Sequence, residues 1–337
     1  MFRAIHIVSL LLLSTEITLF GTRAGAQALN SAGARWDSTN QVLFFEPGPP
    51  GLLVRSDVDG NGRSAEIDIF KDFAGLQNIY VDSVTAGPEG TTLIAATLSF
   101  RNQTVQSRVL TYGASGQLLK TWDAAPQEVE AIAYSRDDDA IFILGEGGVP
   151  KGPEAPDNPV LVEYSRDGQL LKSMIPAGAL KQSGDPFAAG SLTGEPVLRV
   201  TKNRISFYAP KNREVFTWDR TSGKSAYLDI SDIVDEFSTK DGYRLAQTHH
   251  VDFTDGGDIV LELLLGKDTD LGYAIEVARV SLKTGATASV HKTFNDARLW
   301  FIGIENGEYL YLSDGQHLYI QSPASQELTP LDAKQID

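Results

Sequence analysis

Cysteine is absent from the 337 residues of this chain. That excludes disulfides, thiolate metal sites, a cysteine nucleophile and a lipid-modified N-terminal cysteine. A chain exported without disulfides is stabilised by its core alone, which suits a bacterial envelope or secreted protein better than a disulfide-rich extracellular domain. Positive charge is scarce too: 29 Lys and Arg stand against 44 Asp and Glu, for a net charge of −15. A polyanion binder needs a basic footprint, so nucleic acid is a poor partner. The acidic surface admits cations or basic partners, although solubility alone also accounts for it. The N-terminal apolar run is interrupted by Glu16 and falls short of the about 20 apolar residues that span a bilayer. Long helical periodicity is nearly absent. There is no Gly-x-Ser-x-Gly elbow, no His-Glu-x-x-His pair and no phosphate-binding loop.

What is present begins with a leader-like segment. Arg3 supplies positive charge, Ile7 to Leu13 are mostly apolar, and Ala24-Gly25-Ala26 is a small-residue cleavage pattern. Residues 1–26 are expected to be a cleaved signal peptide, with a short membrane anchor as the alternative. Residues 27–337 are expected to form one domain, secreted or periplasmic, with no integral membrane segment after cleavage. A chain of that length buries about three quarters of its unfolded surface.

Within the domain a hairpin recurs. Val160 to Met174 reads VLVEYSRDGQLLKSM, and Arg108 to Trp122, 52 residues earlier, reads RVLTYGASGQLLKTW. Further copies are Leu52 to Ile69, Val215 to Ile230, Val277 to Lys292 and Leu318 to Leu331, the last without the turn glycine. Gly60, Gly116, Gly168, Gly223 and Gly285 are spaced by 56, 52, 55 and 62 residues. A second hairpin precedes each of five copies: Ile79 to Phe100, Val129 to Leu144, Val197 to Tyr208, Val251 to Leu265 and Trp300 to Leu312, the last turning at Asn306-Gly307. Gln41 to Glu46 is the matching strand of the first unit. Four strands per repeat of about 52 residues, six times over, predict an all-β, six-bladed β-propeller with four antiparallel strands per blade. Ser231 to Phe237 is the one expected short helix, with Ser231 as N-cap and Ile233, Val234 and Phe237 inward.

Tyr164-Ser165-Arg166-Asp167-Gly168-Gln169-Leu170 is similar to the strand, Asp-Gly, strand ending of six-bladed propellers of the NHL and TolB-like type. The resemblance covers residues 27–337 and concerns the fold. Those propellers include binding scaffolds, lactone hydrolases and a metal-dependent lyase, and no motif here selects among them.

Antiparallel topology assigns the loops to faces. The second-to-third-strand loops and the crossovers between blades share one face, and the tight turns share the other. Gly145 to Pro159, Pro176 to Pro196, Ser231 to Thr248 and Gly266 to Gly272 are all long and all fall on the first face, around blades three to five. Long irregular segments in a compact domain are often functional, so this face is the expected interaction surface for a protein partner or a small polar ligand.

Several constellations carry potential chemistry. Asp57, Asp59 and Asn61, with Asp68 at position 12, match much of a calcium loop. The strand-like flanks and the short Asp at position 12 equally suit a hairpin turn. His249 and His250 form the only histidine pair, and His250 with Asp252 would share one side of a strand. Imidazole plus carboxylate suits zinc, iron or general-base work, although no third ligand is identifiable. Asp82, Glu130 and Arg199 are expected to line the central channel with the histidine pair, and Phe187, Trp300 and Phe301 to add apolar contact. The expected function is an exported binding module. The alternative is a metal-dependent hydrolase of lactonase type, or a lyase, at the channel mouth.

Overall fold

The computed structural model describes residues 34–46, 51–56, 66–102, 104–124, 127–147, 159–176, 195–240, 242–243, 245–266, 273–294, 299–313 and 317–331. Residues 1–26, the calcium-like Asp57, Asp59 and Asn61, Phe187, and most of the three glycine-rich loops lie outside the described residues.

Among the described residues, the strands form six four-stranded antiparallel sheets, each built from consecutive strands. Blade 1 comprises β1 (Ala34–Asp37), β2 (Val42–Phe45), β3 (Leu52–Ser56) and β4 (Ile67–Asp68). Blade 2 comprises β5 (Leu76–Ala86), β6 (Thr92–Phe100), β7 (Val105–Tyr112) and β8 (Leu118–Trp122). Blade 3 follows with β9 (Gln127–Ser135), β10 (Ala140–Gly147), β11 (Pro159–Ser165) and β12 (Leu170–Pro176). Blade 4 holds β13 (Val197–Val200), β14 (Arg204–Ala209), β15 (Glu214–Asp219) and β16 (Ser225–Asp229). Blade 5 holds β17 (Leu245–Phe253), β18 (Ile259–Gly266), β19 (Tyr273–Val280) and β20 (Thr287–Phe294). Blade 6 closes the set with β21 (Leu299–Glu305), β22 (Glu308–Ser313), β23 (His317–Gln321) and β24 (Thr329–Pro330). The chain is a six-bladed β-propeller. Its first strand, Ala34–Asp37, is an addition to the sequence reading, which began blade 1 at Gln41.

The packing explains why the middle strands are continuously apolar instead of alternating. A blade is sandwiched between two others, so both faces of its middle strands are buried, while the outermost strands, such as Ser225–Asp229, are largely exposed. In β10, Phe142 and Leu144 join the cluster shared with Leu198 and Phe207 of blade 4. The intervening Ile141 and Ile143 join the cluster shared with Leu93 and Val109 of blade 2. Equivalent clusters fill the remaining interfaces between neighbouring blades. The helix Ser231–Lys240 lies in the crossover from blade 4 to blade 5 and buries Val234 and Phe237 in that interface, with Ile233 half-buried beside them. The Ser231 N–H donates to Asp229 Oδ1 at 2.9 Å, and Ile230 carbonyl oxygen accepts from Val234 at 2.9 Å. Among the described residues no helix is long and apolar enough to cross a membrane.

Candidate functional site

The first strand of each blade is the innermost, and one of its edges faces the axis with no neighbouring strand. Backbone N–H groups there need other acceptors. Side chains from the preceding blade supply them. Ser83 Oγ accepts from Ile132 at 3.1 Å, and Thr85 Oγ1 accepts from Tyr134 at 3.2 Å. Asp37 Oδ2 accepts from Ala86 at 2.7 Å, Asp252 Oδ2 from Ile304 at 2.8 Å, and Glu262 Oε1 from Phe301 at 2.7 Å. The polar residues on inner strands are therefore partly structural: they stitch each blade to the next along the axis.

One turn closes an end of the channel. Ser38-Thr39-Asn40, between β1 and β2, lies across to the far side of the ring. Asn40 Nδ2 donates to Asp37 Oδ2, Thr85 Oγ1 and the Tyr134 carbonyl at 3.0–3.1 Å. Thr39 Oγ1 accepts from Val200 at 3.0 Å, and Ser38 Oγ donates to the Leu198 carbonyl at 3.5 Å. One turn of blade 1 thus bonds to blades 2, 3 and 4. Burial pushes the Asp37 carboxyl up, against the pull of the donors from Ala86, Thr85 and Asn40.

Above this plug, a cavity of about 120 Å³ occupies the axis, lined among others by Arg35, Asp82, Glu195, His249, His250 and Trp300. A single water needs ~10–15 Å³, so the space accepts a small molecule. Glu195, Val197 and Gln247 stand at or just before the starts of inner strands, which places the cavity toward the face of the crossovers.

β-Bulges arrange its wall. The register of the inner strand skips Asp82 in β5, Glu130 in β9, His249 in β17 and Ile302 in β21. A bulge breaks the two-residue alternation and re-aims a side chain. This is why His249 and His250, adjacent in sequence, both line the cavity. His249 Nδ1 lies 3.2 Å from Glu262 Oε2, and its ring stacks on Trp300 with centroids 4.6 Å apart. A carboxylate at this distance accepts from a protonated Nδ1, and in the neutral ring Nε2 is then the acceptor. That nitrogen is buried and has no partner in a side chain only 9% exposed. His250 packs edge-on to Phe301. Burial, with His249 beside it, pulls its pKa down to about 4.

At the mouth, Arg35 Nε pairs with Glu46 at 3.0 Å, and its Nη1 donates to the Asp82 carbonyl at 3.4 Å. Burial opposes its charge, but Glu195 and Glu46 outweigh burial and raise its pKa. Tyr80 sits among Glu195, Arg35, Asp82 and Glu130; burial first, then Glu195, pushes its hydroxyl up. Asp82 Oδ2 also accepts from Thr97 at 3.0 Å.

Of the residues expected at the channel, Asp82, His249, His250 and Asp252 line this cavity. Glu130 does not reach its wall, though its charge is felt at Tyr80. Arg199 is turned away: it is 4% exposed, donates to the Phe253 carbonyl and to Asp255 Oδ1 at 2.7 Å, and lies 3.9 Å from Asp252. Asp252 is fully buried, and desolvation raises it to about 6 against the attraction of Arg199. Among the described residues, no group of three or more His, Asp or Glu has the geometry of a metal site. Asp68, in β4, holds Lys71 at 3.0 Å. Arg35, Glu46, Tyr80, Glu195 and Glu262 were not singled out in the sequence. Glu262 did carry a signal, as a lone acid inside the apolar run Ile259 to Leu265.

No protein-family model and no curated protein matches the chain. Among solved structures it is similar to the WD40 repeats of RRP9, with 9% identity and a TM-score of 0.48, covering 92% of this chain and 84% of that one. It is similar to a GH74 xyloglucanase from Xanthomonas campestris at 12% identity and TM-score 0.46, covering 90% of this chain and 46% of the xyloglucanase. A chain of a nidogen/laminin complex is similar at 10% identity and TM-score 0.45, covering 88% of this chain and 91% of that one.

Proposed function

We propose that the protein is an exported propeller acting as a binding module, with its ligand seated at the face where the inner strands begin. Export rests on the leader-like residues 1–26, and residues 27–337 are taken as its single domain. The observation that carries the reading is the axial cavity. The Ser38–Asn40 turn closes it on one side, and polar and aromatic side chains ring it on the other. Cavities of this kind, with few convergent polar groups, are the usual seats of small polar ligands. The long loops of blades three to five belong by topology to the same face and would add a rim for a protein partner.

The test is a cavity-filling variant. Gln247 lines the cavity and is half-buried, so Gln247→Trp fills space without opening the core. A ligand found by thermal-shift screening should stabilise the native protein and lose that effect in the variant, with circular dichroism unchanged. Equal stabilisation of both would remove the cavity as the seat. Deleting residues 151–158 should leave folding intact and weaken capture of a protein partner, leaving the small ligand's affinity unchanged.

One geometry favours a second reading, a hydrolase or lyase at the same mouth. Glu262 holds His249 Nδ1 and leaves Nε2 positioned as a base. Burial, with His249 beside it, pulls the His250 pKa down to about 4. Lactone hydrolysis, assayed with and without calcium or zinc, would then be lost in His249→Gln and retained in His250→Gln.

A further inference from the structure

Six large apolar side chains are exposed among the described residues. Three of them, Leu119 at 55%, Leu170 at 61% and Leu171 at 56%, belong to one repeated pentapeptide, Gly-Gln-Leu-Leu-Lys, that leads into the outermost strands of blades 2 and 3. The ladders explain the exposure. In β8 the register passes from Leu118 to Lys120 and skips Leu119; in β12 it passes from Leu170 to Lys172 and skips Leu171. A bulge at the same step of both strands re-aims these leucines off the blade. The two copies are also joined. Lys120 Nζ donates to the Asp167 carbonyl at 2.6 Å, and the Trp122 indole covers Gly168. β8 therefore runs beside the β11–β12 turn, which brings Leu119 onto the same stretch of outer wall as Leu170 and Leu171.

We propose that this strip docks an acidic segment of a partner protein, with apolar side chains for the leucines and carboxylates for Lys120 and Lys172. Charge decides the occupant. The chain carries a net −15, yet residues 116–120 and 166–172 hold three cations and one acid, Asp167. Of the cations, Arg166 is held by Glu89 and Asp139. The two lysines have no carboxylate partner among the described residues: Lys120 meets a carbonyl oxygen, and Lys172 lies over the Trp218 ring at 5.8 Å. Glu163 stands opposite Lys172 in the ladder, but its charge acts on Arg220. A bulge and a lysine are also what keeps an edge strand from pairing with another chain, so the contact is made by side chains and not by strand addition. An anionic membrane would meet the whole acidic molecule. A single segment, with a Debye length of about 8 Å at physiological salt, feels mainly the local cations. This surface is on the outer wall and is separate from the axial cavity.

The experiment selects random short peptides displayed on phage against the purified protein, then resynthesises the recovered sequences and titrates them by fluorescence anisotropy. They should combine Asp or Glu with Leu, Ile or Phe. The affinity of the best should fall about tenfold in Leu119→Ser combined with Leu171→Ser, about threefold in each of Lys120→Gln and Lys172→Gln, and further with salt. All four side chains are exposed, and circular dichroism should show every variant folded. The exposed controls Lys283→Gln and Val105→Ser should change nothing, and neither should the cavity-filling Gln247→Trp. Basic or uncharged winners, winners indifferent to the leucine and lysine variants, or a library without a binder would each overturn the proposal. Vesicles of phosphatidylcholine and phosphatidylglycerol, and sedimentation of the protein alone, complete the test. Vesicle binding, or a dimer, that the paired leucine variant abolishes would assign the strip to lipid or to a second copy and overturn it as well.

Discussion

His250 and Asp252 stand two residues apart on β17, and burial drives their protonation in opposite directions. His250 is pulled from 6.5 to about 4. Between those values the unfolded chain carries the extra proton, so this group's contribution to stability rises with pH. Asp252 is pushed from 3.8 to about 6. Across that interval the folded chain carries the extra proton, and stability falls as pH rises. At ~1.4 kcal/mol per pKa unit, each contribution is of order 3 kcal/mol, and the two nearly cancel. Asp252→Asn should therefore unmask the histidine: relative to the native protein, its stability should climb from pH 4 to 6.5. His250→Asn should show the reverse slope. Urea unfolding at four pH values over this range checks both, and parallel profiles for either variant and the native protein would remove the argument. The sequence showed the His249-His250 pair and its proximity to Asp252, because composition made histidine conspicuous. It could not show that His249 is the bulged residue, since a bulge is a property of two strands. Arg199 was misplaced for a similar reason: its partner Asp255 lies 56 residues away across a blade interface.

At the scale of elements, the inner-strand edge is the feature that places polar residues on the axis. Asn40 has the largest share of that task among the plug residues, with bonds to Asp37, Thr85 and the Tyr134 carbonyl. Asn40→Ala should cost about 1–3 kcal/mol, because Asp37 and a buried carbonyl lose donors. Hydrogen exchange should quicken at Ala86 and Tyr134, whose N–H groups end on Asp37 and Thr85. Unchanged protection at both amides would mean that the turn only covers the channel. Four of the turn glycines of the repeat, Gly116, Gly168, Gly223 and Gly285, adopt positive φ, and Gly60 lies outside the described residues. Gly168 adopts φ 73° and lies against Trp122 of blade 2, where a Cβ would approach the indole to 2.6 Å. The last hairpin lacks such a glycine because its longer connection is braced instead by Gln321. That side chain accepts from Tyr311 Oη at 2.8 Å and donates to the Ser325 carbonyl at 2.9 Å. The strand missed in the sequence, Ala34–Asp37, has only four residues, too few for alternation to register. Its loss also hid Arg35, the one cation of the cavity wall.

The whole ring closes without exchanging a strand, since blade 1 takes residues 34–68 and blade 6 residues 299–330. Among the described residues no ladder hydrogen bond joins the first sheet to the last, and apolar packing fills this seam. The cluster there joins Ala34, Leu43 and Phe45 to Ile302, Leu310, Leu312 and Leu318, with Trp36 packed against it. Trp36 lies directly over Gly303, where any Cβ would collide with the indole. Gly303→Ala therefore pries the seam open from one side, and Trp36→Ala empties it from the other. Removing the indole should cost up to ~3 kcal/mol. In hydrogen-exchange mass spectrometry the loss of protection should concentrate in blades 1 and 6, whose interface it fills. Blades 3 and 4 bury their own cluster of Phe142, Leu144, Phe207 and Phe216 and should keep theirs. Because the axial plug also belongs to blade 1, opening this seam should loosen Asn40 and with it the floor of the cavity. A ligand bound in the cavity should then restore protection at blades 1 and 6 together, which ties ligand affinity to ring closure. Protection lost evenly around the ring would instead mean that the propeller unfolds as one unit and the seam has no separate stability.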